Sequence, residues 1–164
     1  MKKIFLMLAL IATAFTQNSF AQLVPSLRED STKPQTVQFL NAYYQLKDHL
    51  VKSNATTAAA SAGELVKAIN NADAAIVNDD TRATLLKDAD AIFQSSNIKV
   101  QREKFATLSN NMFELAKSVK LSAEPVYQQY YPMKKASWLS NDKTIKNPYY
   151  GSAMLTCGSV KTTL

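Results

Sequence analysis

The sequence predicts an all-α protein: a four-helix up-down bundle with an irregular, aromatic-rich C-terminal segment packed on it. Three observations carry that prediction. Apolar residues recur at three- and four-residue steps through four separate stretches. Glycine is scarce, at three residues in 164, and alanine is abundant, which favours helices over a hairpin-rich β fold. After Pro125 the helical periodicity fades and the composition changes.

The chain opens on an export signal. Lys2 and Lys3 form a positive start, and Ile4 to Phe15 is an apolar run. That run suits a signal segment and is too short to span a bilayer, which needs roughly 20 residues. Ser19-Phe20-Ala21 places small residues three and one positions before a cut. Cleavage is expected after Ala21, so residues 1–21 are a signal peptide. No cysteine follows the apolar run, which argues against a lipid anchor. The mature protein is expected in the periplasm or secreted, with no membrane span.

Residues 22–35 are polar, contain Pro25 and Pro34, and read as a flexible lead-in. One helical domain, residues 36–164, follows. The first helix is expected to start near Thr36, with Leu40, Tyr43, Leu46 and Leu50 as its stripe. Ser53 and Asn54 end it, and Asn54 can cap the next helix. The second helix runs from about Ala55 to Asn70 on Ala58, Ala62, Leu65 and Ile69. Alanines on that face let a neighbour approach closely. Asp79 and Asp80 suit the positive start of a third helix. Its stripe is read as Leu86, Ala89 and Phe93, with Leu85 and Ile92 alongside. The fourth helix carries Ile98, Phe105, Leu108, Met112, Leu115 and Val119 to about Leu121, roughly 36 Å at 1.5 Å per residue. Short links suit an up-down arrangement.

Charge excludes one class of partner. Removing Lys2 and Lys3 lowers the formal net charge from +6 to +4. No run of five basic residues occurs, so nucleic acid is not an expected partner. Catalysis finds little support either. There is no His-Glu-x-x-His, no glycine-rich phosphate loop and no paired-carboxylate signature. The protein is read as a non-enzyme. His49 is taken as a surface or half-buried side chain. Arg102 is expected to bind an anion or to pair with an acid such as Glu103 or Asp90.

The segment 126–160 concentrates the unusual residues. It holds the only Trp, most of the tyrosines and the only cysteine, Cys157. A lone cysteine cannot make an internal disulfide, so in an oxidising space it is a buried hydrophobe, an intermolecular partner or a thiolate. Met133, Met154 and Cys157 are either core fillers or soft-metal ligands. Met154 and Cys157 are three apart, so one turn can aim both at one ion. Trp138, Tyr149 and Tyr150 are either a binding platform or packing, and Asn147, Pro148 and Gly151 look like turn chemistry.

The C-terminal motif reads Tyr130-Tyr131-Pro132-Met133, then Trp138-Leu139, then Asn147-Pro148-Tyr149-Tyr150-Gly151, then Met154-Leu155-Thr156-Cys157-Gly158. With Gln101-Arg102-Glu103, Phe105 and Leu108-Ser109, it resembles the bacterial exported family called domain of unknown function 3347. Members resemble one another as small helical domains, some at the C-terminus of periplasmic adaptor subunits of heavy-metal efflux pumps. The resemblance implies copper or similar soft-metal homeostasis, with Cu(I) as the ion and Met133, Met154 and Cys157 as ligands. It implies a binding segment of Trp138, Asn147, Pro148, Tyr149, Tyr150 and Gly151, and an envelope efflux component as partner. The chain departs from the family pattern at two places. The Cys of the family's Cys-Pro-Met is Tyr131 here, and Lys104 stands where a histidine is common. A metal-free interaction module of the cell envelope, its ligand cysteine lost, is therefore the competing expectation.

Overall fold

A computed structural model describes residues 32–164, with side chains from Thr36 onward. The signal segment 1–21 and residues 22–31 of the lead-in lie outside the described residues. Four helices come first: α1 (Thr32–Val51), α2 (Ala55–Asn71), α3 (Asp79–Phe93) and α4 (Ile98–Ser118). Each packs chiefly on its neighbour in sequence, and α4 touches α1 and α2 more lightly.

The helix starts follow the capping chemistry. The Asn54 side chain accepts from Thr57 N at 3.1 Å and that of Asn78 from Thr81 N at 2.9 Å. The Asn97 side chain accepts from Lys99 N at 2.9 Å. Each satisfies a backbone donor left over in the first helical turn. The first helix begins four residues before the predicted start, with Pro34 in its first turn, where proline is tolerated. The fourth ends at Ser118, three residues before the predicted Leu121.

The core follows the predicted stripes with one rotation. Leu40, Tyr43, Leu46 and Leu50 are buried, as are Ala58, Ala62, Leu65 and Ile69. In α3 the buried face is Leu85, Asp88, Ala89 and Ile92. Leu86 is only half-buried, and Phe93 is 51% exposed. Phe93 instead lies across α2 at Gly63, where a Cβ would stand 3.1 Å from its ring. The missing side chain gives the ring its seat.

The all-α prediction is corrected by the C-terminal segment. It is ordered as a three-stranded antiparallel sheet: β1 (Tyr127–Tyr131), β2 (Ala136–Ser140) and β3 (Ser159–Thr163), in the order β2-β1-β3. Gln129 pairs with Trp138 and Tyr131 with Ala136 across β1 and β2. Tyr130 pairs with Ser159, and a bulge interrupts the β1–β3 ladder between Gln128 and Gln129. The hairpin turns through Pro132–Lys135, closed by Lys135 N donating to Pro132 O at 3.1 Å. Lys135 adopts φ +51 there, a position that usually selects glycine or asparagine.

Tyr43 fastens the sheet to the helices. β2 lies against α4. The Tyr43 hydroxyl, from α1, lies 2.7 Å from Ser109 Oγ on α4 and accepts from Leu139 N on β2 at 3.0 Å. Burial raises its pKa well above the ordinary value, so it stays a neutral phenol. Its ring stacks on Phe105, which in turn meets Tyr149.

Candidate soft-donor site

The segment between β2 and β3 is folded by particular residues rather than by a stripe. Asn147 is fully buried. Its carbonyl oxygen accepts from Gly151 N at 3.0 Å, and its side chain accepts from Tyr149 N at 2.9 Å. Its amide nitrogen donates to Cys157 O at 3.3 Å, and its backbone N to Leu155 O at 2.8 Å. One side chain thus closes both ends of the loop. Gly151 takes φ +56, and a Cβ there would meet Ser53 Oγ at 2.5 Å and Val51 O at 2.6 Å. Only glycine fits.

Arg102 holds this turn to the helices. It donates to Pro148 O at 2.8 Å, Leu50 O at 2.9 Å and Ser53 Oγ at 2.8 Å. The expected anion or acid partner is replaced by carbonyls, because the guanidinium sits at the negative C-terminus of α1. Partial burial lowers its pKa from the ordinary value.

Most residues of the expected binding segment lie inside the protein. Trp138, Asn147, Pro148, Tyr149 and Gly151 are all buried. Trp138 meets Tyr149 edge-on at 5.9 Å, and the Tyr149 hydroxyl donates to Ser137 O. These contacts hold the segment together. Tyr150 alone of the six presents its ring to solvent. It borders an open groove of about 410 Å³ lined also by Lys99, Glu103 and Lys134.

Met154 and Cys157 meet in the loop before β3, and Met133 lies in the hairpin turn after β1. Met154 ends a single 3₁₀ turn, Gly151–Met154. Cys157 N donates to Met154 O at 3.1 Å, closing the next turn, and residues three apart in such turns overlie each other. Cys157 Sγ–H therefore donates to Met154 Sδ at 3.6 Å. Cys157 is exposed. The ladder running through Tyr130 and Ser159 brings Cys157 beside the end of β1, where Tyr131 and Met133 lie. A Cβ at Gly158 would stand 2.9 Å from Tyr130 O, which marks how closely the two strands meet.

Met133 is 75% exposed, so it is no core filler. The Tyr131 hydroxyl donates to its Sδ at 3.1 Å. The Tyr131 ring is buried and meets Tyr150 edge-on at 5.4 Å. Its pKa is raised by desolvation first, then by the neighbouring Tyr150 and Cys157. The phenol therefore remains a donor.

A fit test for a soft ion can be made on the Met154–Cys157 pair. Two sulfurs bound to one ion at about 2.3 Å each stand roughly 3.8–4.0 Å apart at tetrahedral or trigonal angles. The observed 3.6 Å needs only a small opening. Among the described residues no group of three or more His, Cys, Asp or Glu is placed to hold a metal. The pair offers a thiol and a thioether, donor types that suit a soft ion such as Cu(I) rather than a hard cation. His49 takes no part: its Nδ1 lies 2.7 Å from Ser61 Oγ on α2, half-buried between the helices. A second cleft, of about 380 Å³ beside Leu121, Pro125 and Leu164, holds no sulfur and no imidazole.

Sequence reasoning named Met133, Met154 and Cys157 but missed the role of Tyr131. It entered only as an absent cysteine. The available signal was its place: Tyr131 closes β1, and Met133 stands two residues on in the tight turn that Pro132 opens.

Fold and site define a helical domain with a small C-terminal sheet that displays an exposed thiol–thioether pair. The chain belongs to the family described as Protein of unknown function (DUF3347), whose model matches residues 39–124. That span covers most of α1 and all of α2 to α4, and ends just before β1. No curated protein and no solved structure matches the chain. Among the described residues no helix is long and apolar enough to cross a membrane.

Proposed function

We propose that this is an exported, periplasmic protein that binds a soft metal ion, Cu(I) above all, on a scaffold of four bundled helices. It performs no reaction. Met154 and Cys157 supply the first two ligands and Met133 the third. The observation that carries this reading is the 3.6 Å separation of Cys157 Sγ and Met154 Sδ at an exposed position. A thiol must lose its proton to become a ligand, so loading releases a proton and frees the Met154 lone pair that the thiol now engages. An exposed site of few ligands suits cargo that is passed on, and an envelope efflux component is the proposed recipient. The export signal at residues 1–21 supports the address, since it puts an unpaired cysteine where thiols are otherwise oxidised.

The test is an anaerobic Cu(I) titration of the mature protein against a chromophoric chelator, beside Cys157→Ser. Binding that exceeds the chelator background and falls in the variant supports the reading. Background-level binding, or binding unchanged by the substitution, sinks it.

One observation favours a second reading. Tyr131 stands where the C-terminal resemblance implies a cysteine, and its hydroxyl is spent on Met133. The segment would then be a metal-free interaction module of the envelope. Titration at background level, with the fold intact, is the result that reading expects.

A further inference from the structure

We propose that Tyr131 is the positioning residue of the sulfur site: its hydroxyl parks the Met133 thioether, and Met133 becomes available as a third soft donor only when that hydrogen bond opens. The inference deepens the metal reading and rests on it for its affinity arm alone.

Met133 is a long unbranched side chain at 75% exposure in a hairpin turn. Such a side chain ordinarily samples several rotamers in water. Here three features restrict it. Pro132 fixes the backbone immediately before it. The tight turn Pro132–Lys135, closed by Lys135 N on Pro132 O, holds Met133 beside the end of β1. The Tyr131 hydroxyl then donates to Sδ at 3.1 Å. The phenol is itself held, since its ring is buried and packed edge-on against Tyr150. A fixed donor thus holds a mobile acceptor.

The Met154–Cys157 pair lies in the loop before β3. Each thioether is therefore engaged by a neighbouring proton donor, Met154 by a thiol and Met133 by a phenol. The sulfurs of Met154 and Cys157 already stand 3.6 Å apart, whereas Met133 must leave Tyr131 before it can join them. A hydrogen bond to sulfur is weak, so the hold is a bias and not a barrier.

Tyr131→Phe removes the hydroxyl and keeps the ring. Two measurements read the effect. Dilute hydrogen peroxide converts methionine to its sulfoxide, and peptide mapping by mass spectrometry follows Met133 and Met154 separately. Met133 is expected to oxidise roughly two- to tenfold faster in Tyr131→Phe than in the native protein, as loss of one weak hydrogen bond implies, with Met154 unchanged. Equal Met133 rates, or equal acceleration at both methionines, overturn the proposal. In the Cu(I) competition, Tyr131→Phe is expected to bind more tightly by a similar factor, and Met133→Leu in the same background to abolish the gain. A loss of affinity, or a gain that survives Met133→Leu, overturns it. If the native protein binds no Cu(I), the metal reading fails, and the peroxide comparison still decides the role of Tyr131.

Discussion

The helices and the C-terminal segment reach comparable burial by different means. In α1 and α2 the buried apolar residues are leucines, alanines, tyrosines, Phe39 and Ile69 at regular steps, and neighbouring side chains share the packing. In residues 126–164 the burial depends on single residues that nothing else replaces: Trp138 at the centre, Asn147 closing the loop, Gly151 beneath Ser53 and Gly158 beneath Tyr130. Periodic packing spreads the consequence of a change over many contacts. Singular geometry concentrates it. The exposed donors sit on the second kind of structure, where few residues fix each position.

The largest expected effect tests that contrast directly. Trp138→Ala removes a fully buried indole and should destabilise the protein by about 4 kcal/mol, against about 3 kcal/mol for Leu65→Ala on α2. Denaturant unfolding gives the totals, and hydrogen exchange gives the distribution. In Trp138→Ala the amides of β1, β2 and β3 should lose protection before those of α1 to α4. Uniform loss across both regions would show one cooperative unit and break the comparison.

Gly151→Ala comes next, at about 3 kcal/mol, combining a left-handed backbone with overpacking against Ser53 and Val51. Its unfolding midpoint should fall further than that of Gly63→Ala, where only the exposed Phe93 ring must give way. Similar falls would mean that the turn at 147–151 is softer than its contacts suggest.

Tyr43→Phe sharpens the comparison at the seam. It leaves Leu139 N and Ser109 Oγ without their shared partner and should cost about 2 kcal/mol. The expected sign of its specificity is increased exchange at Leu139 with little change in α2 and α3. An effect spread evenly through the helices would place the hydroxyl's role in the core and not at the seam.

The two regions were also unequally legible. Hydrophobic periodicity located all four helices, and Asn54 was readable as a cap before any coordinates. The one phase error, in α3, arose because Leu85-Leu86 and Ile92-Phe93 offer two adjacent stripes of similar hydropathy. Gly63, on another helix, decides between them. The sheet was missed for a local reason. Its hairpin turns through Pro132-Met133-Lys134-Lys135, with Lys135 where glycine or asparagine would have announced a turn. β3, Ser159 to Thr163, is rich in β-branched residues but fully exposed, so no inside-outside alternation marked it. Arg102 was read as an anion or acid partner because its true acceptors, Leu50 O and Pro148 O, are backbone groups about fifty positions away on either side. The sulfur pair was legible because its spacing is local. The Tyr131–Met133 contact depended on a strand that the sequence hid.

The smallest expected effect concerns charge inside the periodic region. Asp88 lies on the buried face of α3, and burial raises its pKa, offset in part by Lys104, Asn111 and Lys87. An acid whose folded pKa is raised binds its proton more tightly in the folded state than in the unfolded one. Its ionisation therefore opposes folding, and that opposition is present above the raised pKa and disappears as pH falls through it toward about 3.9. Asp88→Asn keeps a partner for the Asn111 amide, which lies 3.2 Å from the carboxylate, and removes the charge. The variant is expected to be more stable than the native protein at neutral pH, with the gap narrowing on acidification. Urea unfolding of both proteins from pH 7 to pH 4 measures it. A gap that widens in acid would mean that Lys104 and Asn111 hold the carboxylate more strongly than burial opposes it. The helical layer would then also depend on a single placed group, as the C-terminal segment does.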